Sequence, residues 1–152
     1  MRVSAKADYA VRAAVELAAA TGENLVKGDV IAEAQEIPLR FLENILGELR
    51  HAGLVQSRRG AEGGYRLAKP AAEITIADII RAVEGPLATV HGDPAEQLSY
   101  RGDAVPLQQV WLALRANIRE VLENVTLADV AADQLPDSIR GLTRLPGASR
   151  AS

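Results

Sequence analysis

The chain has 152 residues and a net charge of −3, with 27 alanines, five aromatics, two histidines and no cysteine. That length suits one domain with an appended helix, and the lack of thiols excludes disulfides, zinc fingers, thiolate nucleophiles and all-thiolate iron–sulfur sites. No run of 18 apolar residues offers a membrane span, and Asp8, Arg12 and Glu16 interrupt any signal-peptide layout, so the expected location is cytoplasmic with no membrane partner.

Residues 4–20 predict an amphipathic helix with Ala10, Ala13, Ala14 and Leu17 in one stripe, widened by Val11, Val15 and Ala18. Thr21, Gly22, Glu23 and Asn24 read as a loop, with Gly22 placed to stop that helix. A short helix over about 28–35 is expected to bury Val30, Ile31 and Ala34. Pro38 then suits a first helical turn, and residues 39–52 follow with Leu42, Ile45, Leu46 and Leu49 inward. The period changes next. Residues 54–58 and 64–67 are short extended runs around a glycine-rich tip, a hairpin signal. Thr75 and Asp78 mark a capping-box-like start of a helix that runs to Glu84 and stops at Gly85-Pro86. Residues 86–104 carry no sustained period and read as a long surface loop. From Leu107 an apolar stripe runs through Val110, Trp111, Leu114, Ile118, Val121, Leu122 and Val125, enough for a helix about 28 Å long. Thr126 and Asp129 repeat the capping device before a last short helix, and the Pro- and Gly-containing stretch beyond Asp133 reads as a frayed tail.

Helix, short helix, turn, helix and glycine-tipped hairpin within 70 residues is the order of a winged helix-turn-helix. The fold expected is mainly α with a small β-hairpin. A winged helix-turn-helix domain covers 1–85, a loop 86–104, a long helix with a short following helix 105–132, and a flexible tail 133–152. Charge supports a nucleic-acid role locally although not globally. Residues 50–69 hold Arg50, Arg58, Arg59, Arg66 and Lys69 against Glu62 alone, whereas 71–152 hold seven Lys+Arg against eleven Asp+Glu. A basic patch on an acidic protein is selective, because the remaining surface repels phosphate. Arg40, Glu43 and Asn44 face outward from the third helix, with Gly47 a turn on. Arg40 suits guanine or a phosphate, Asn44 adenine, and Glu43 a cytosine amine. Arg58 and Arg59 beside Gly60 would reach the backbone or a narrow minor groove. His51 is expected to be structural, and Tyr65 to pack on the helices with its hydroxyl in reach of a phosphate.

Three stretches carry a resemblance: 37–55 (IPLRFLENILGELRHAGLV), 59–68 (RGAEGGYRLA) and 74–87 (ITIADIIRAVEGPL), joined by KADYAVRA at 6–13. Together they resemble the Rrf-two family of bacterial winged-helix transcription regulators, closely over about 1–87 and loosely over 105–130. The resemblance implies a homodimer on a pseudo-palindromic double-stranded DNA operator, acting as a repressor through a recognition helix at 38–52 and a wing at 54–67. It carries base reading to Leu39, Arg40, Glu43 and Asn44 and the wing contact to Arg59; with the basic patch the DNA-binding set becomes these five plus Arg50, Arg58, Gly60 and Tyr65. Pairing falls to Leu107, Val110, Trp111, Leu114, Ile118, Val121 and Leu122. Glu36 departs from the pattern, since that turn often has glycine.

Many relatives hold an iron–sulfur cluster through three loop cysteines. This chain has none, so it resembles a cluster-free branch with no cofactor and no metal, whose signal is an unidentified small-molecule or protein effector, or nothing beyond the protein's own level. Asp8 falls where some relatives supply a carboxylate ligand, and His91, Asp93 and Glu96 make at best a weak divalent-cation set. The alternative is a protein-interaction module that docks a metabolic enzyme or RNA polymerase instead of DNA. An enzyme is not expected, for no nucleophile–base pair or phosphate loop is present.

Overall fold

The computed structural model describes residues 1–20 and 24–150. Helix α1 (Ala5–Ala19) starts where the Ser4 hydroxyl accepts the Ala7 N–H, and it buries Ala7, Ala10, Ala13, Ala14 and Leu17. A face made mostly of alanine lets neighbouring helices approach closely. Gly22, read as the helix stop, lies outside the described residues.

Helices α2 (Gly28–Gln35) and α3 (Leu39–His51) form the helix-turn-helix. Glu36 between them adopts a left-handed φ of +52°. The turn therefore keeps the geometry glycine favours and carries it on glutamate, at a cost of about 1 kcal/mol. The buried face of α2 corrects the sequence reading in part: Ile31 is buried as expected and Ala32 joins it, whereas Val30 is 54% exposed and Ala34 is exposed. Two turns of helix present two plausible apolar faces, and packing on α1 and α3 selects between them. Polar ties fix α3 and α2 against α1. Lys6 Nζ lies 2.9 Å from Glu48, and Arg12 donates to the Gln35 carbonyl at the end of α2 while pairing with Asp8.

Strands β1 (Val55–Arg58) and β2 (Gly64–Leu67) pair antiparallel, Val55 opposite Leu67 and Arg58 opposite Gly64. Helix α4 (Ile76–Glu84) carries a complete capping box: Thr75 accepts the Asp78 N–H, and Asp78 accepts the Thr75 N–H. The core gathers Leu42, Ile45, Leu46 and Leu49 of α3 with Ile31, Ile74, Ile79 and Leu127. Each fully buried aliphatic side chain there contributes about 1.5–3 kcal/mol relative to exposure.

Residues 86–104 form an irregular segment with 3-10 turns at Ala95–Gln97 and Gly102–Ala104. It is pinned to the next helix, α5 (Leu107–Leu122), by Gln108, which donates to the Leu98 carbonyl at 2.7 Å, and by Trp111, whose Nε1 donates to the Tyr100 hydroxyl at 2.8 Å. Helix α5 has 16 residues and buries none of them, and Val125, read as the end of its stripe, lies past its C-terminus in the core. Helix α6 (Leu127–Ala131), grouped by sequence with the long helix, packs instead on α1, its capping box (Thr126, Asp129) beside that of α4. Within the stretch read as a frayed tail, a fully or partly exposed helix α7 (Asp137–Thr143) forms after Pro136.

Candidate nucleic-acid interface

The site begins with why α3 points outward as it does. Its apolar residues at 42, 45, 46 and 49 are at most 1% exposed. A helix so anchored must turn 40, 43 and 44 to solvent, and Arg40, Glu43 and Asn44 are all exposed. Pro38 provides no side-chain cap, so the first N–H groups of α3 stay open at the positive end of the helix. Leu39 is 43% exposed beside them, an apolar surface suited to a thymine methyl.

The wing takes its shape from two glycines. A Cβ on Gly63 would stand 2.2 Å from the Arg58 carbonyl oxygen, and one on Gly64, where φ is +145°, would stand 2.7 Å from that of Val26. Only glycine closes this tip, whose turn is made by the Gly63 N–H donating to Gly60. The result carries Arg58, Arg59 and Gly60 to the exposed end of the hairpin. Val26 exchanges both backbone hydrogen bonds with Tyr65 at 2.8 and 2.7 Å, tying the wing to the chain just ahead of α2.

Among the described residues, no hydrogen bond or ion pair engages the side chains of Arg40, Glu43, Asn44, Arg58 or Arg59. Arg50 is less free, donating to Ser57 Oγ at 3.2 Å, and Tyr65 is half-buried against the core. Arg50, Arg58 and Arg66 line a concavity of about 490 Å³ at the root of the wing. The Val26 tie and the place of Arg66 in this concavity escaped the sequence reading; for Arg66 the signal was the basic run at 50–69. His51, expected to be structural, is exposed on the outward edge with Asn44 and Gly47, and its side chain makes no hydrogen bond among the described residues. The α5 stripe, expected from the sequence to pair, is a separate surface. Val110 is 54% exposed, and Leu107, Trp111, Leu114, Ile118, Val121 and Leu122 are half-buried.

The Rrf2 (Rrf-two) profile, described as iron-dependent transcriptional regulators, matches residues 3–133. The chain belongs to this family. An HTH-type transcriptional regulator of Mycobacterium tuberculosis is 53% identical over 142 residues, covering 93% of this chain and 88% of that protein. CymR of Bacillus subtilis, named as its global cysteine regulator, is 36% identical over 132 residues, covering 87% and 91%. Its solved structure superposes with a TM-score of 0.74, covering 88% of this chain and 98% of that one, and that of T. potens IscR with 0.71, covering 88% of each. Rrf2 membership makes the chain a winged-helix transcription regulator and not an enzyme.

The iron in the family's description does not fit the residues present. The 152 residues include no cysteine, and among the described residues no three His, Asp or Glu side chains converge as a metal site. Asp8 is engaged by Arg12 and Glu96 by Arg115, which leaves His91 and Asp93 without a third ligand.

Proposed function

We propose that two copies of the chain pair along the α5 stripe and bind a pseudo-palindromic DNA operator, repressing transcription from it. Within each copy α3 would lie in the major groove with Leu39, Arg40, Glu43 and Asn44 at base edges, while Arg58, Arg59 and Gly60 of the wing meet the adjacent backbone or minor groove. Arg50 and the Tyr65 hydroxyl flank a phosphate path between them. One observation carries the reading: four cationic or amide side chains, Arg40, Asn44, Arg58 and Arg59, face solvent with no hydrogen-bond or ion-pair partner among the described residues. The likeness to CymR and IscR supports the same use of the fold.

A two-fold pair places the recognition helices one DNA turn apart, about 34 Å, and neutralises about 6–8 phosphates. Gel shifts on fragments from upstream of the protein's own gene are expected to weaken by about 10³–10⁵-fold between 50 and 200 mM salt. Replacing Arg40 and Arg59 together by alanine should abolish the shift. Transcription in vitro from the bound fragment should fall on adding the protein; a rise would reverse the sign of regulation. Absence of binding at low salt would return the chain to the protein-docking alternative.

A further inference from the structure

A cavity of about 460 Å³ lies between α4, the beginning of the 86–104 segment and α5, lined by Arg81, Gly85, Pro86, Leu87, Arg115 and Arg119. Three guanidinium groups in one lining run against the acidic balance of residues 71–152. Their side chains are 37%, 27% and 49% exposed, partly withdrawn from water yet reachable from it. Two carboxylates already pair with these arginines. Glu123 accepts from Arg119 at 2.9 Å and from Arg81, and these two arginines hold its carboxyl below the usual carboxylate range. Glu96, from the 95–97 turn, accepts from Arg115. Asp78, 4.0 Å from Arg81, is committed to the capping box of α4. Among the described residues each arginine side chain thus donates one hydrogen bond, out of five N–H donors apiece.

We propose that this cavity binds a small oxyanion with two or more negative charges, a phosphate ester or a di- or tricarboxylate, as a regulatory ligand. The volume is within the range of small-molecule sites, and planar guanidinium forks match carboxylate and phosphate oxygens in pairs. Glu96 is the more exposed of these two carboxylates, at 53%, and the one an entering anion displaces. Its release loosens the 95–97 turn from α5. Arg81 links the cavity to α4, whose Ala77, Ile79 and Val83 are buried in the domain that holds α3, so occupancy is felt on both sides of the molecule.

Calorimetric titration of the full chain with citrate, and separately with inorganic phosphate, tests this at constant ionic strength. No DNA is present, so the outcome is independent of the operator reading. Saturable binding of at least one probe is expected, weakened at least about tenfold in the Arg115→Gln/Arg119→Gln double variant and tightened severalfold in Glu96→Gln. Citrate alone assigns a carboxylate ligand, phosphate alone a phosphate ester, and both the shared chemistry. Backbone amide exchange of the unaltered chain, which needs no variant to fold, should slow at 81–87 and 112–119. No saturable heat from either probe, an unchanged affinity in the double variant, or protection confined to 50–66 overturns the proposal.

Discussion

Helices α1 and α5 have nearly the same length, 15 and 16 residues, and both carry an apolar stripe. The first buries five residues; the second buries none. Their fates differ because of what stands opposite. Helix α1 is surrounded by α3, α4, α6 and β2, whereas α5 rests mainly on the 95–97 turn and touches α4 along a short contact. Periodicity specifies which side of a helix avoids water, and it is silent on whether the cover comes from the same chain. A stripe left half-exposed on a well-formed helix therefore points to cover from outside the chain, which the proposed pairing supplies.

The contrast can be broken from either side. Leu46→Ala removes a side chain with no exposure from the centre of the core. It is expected to cost about 2–5 kcal/mol, seen as a lower denaturant midpoint, because the surrounding helices collapse only partly around the gap. Ile118→Glu with Val121→Glu should leave the helix-turn-helix domain folded, as judged by helical circular dichroism. It should instead halve the mass measured by sedimentation equilibrium. Operator affinity then falls by about 10²–10⁴-fold, the advantage two linked half-sites have over one. An unchanged mass would show that α5 is not the pairing surface.

What sequence could reveal followed the strength of each local signal. The α3 face was legible since Leu42, Ile45, Leu46 and Leu49 leave one arrangement open over nearly four turns. The α2 face was legible only at Ile31, since two turns allow Val30 and Ala34 beside it as readily as Ala32. The hairpin was visible in its glycines, but the Val26–Tyr65 pairing that anchors it joins residues 39 apart through backbone groups, which have no sequence signature. The outward set Arg40, Glu43 and Asn44 followed directly from the buried one. Arg66, and the meeting of Arg81 with Arg115 and Arg119, depend on how distant segments pack. Likewise α6 was legible as a separate short helix from its capping residues Thr126 and Asp129, but only the tertiary structure brings it to α1 and away from α5.

The placement of α6 gives the smallest and most discriminating effect. Two capping boxes of the same pattern, Thr75 with Asp78 and Thr126 with Asp129, stand side by side. Backbone bonds run between them, Ile76 N–H to the Val125 carbonyl at 3.0 Å and Leu127 N–H to the Ile74 carbonyl at 2.9 Å. Ile74 and Leu127 next to them are both wholly buried. Thr75→Ala and Thr126→Ala should each cost about 1 kcal/mol, since each leaves a first-turn N–H without its acceptor. Were α6 simply the end of the α5 arm, the two losses would add and Thr126→Ala would leave the core untouched. Because the helix starts share backbone bonds and a common core, the double variant should depart from additivity by about 0.5 kcal/mol or more. Amide exchange should then quicken in 127–131 and in α1 together, while the middle of α5 keeps its rate.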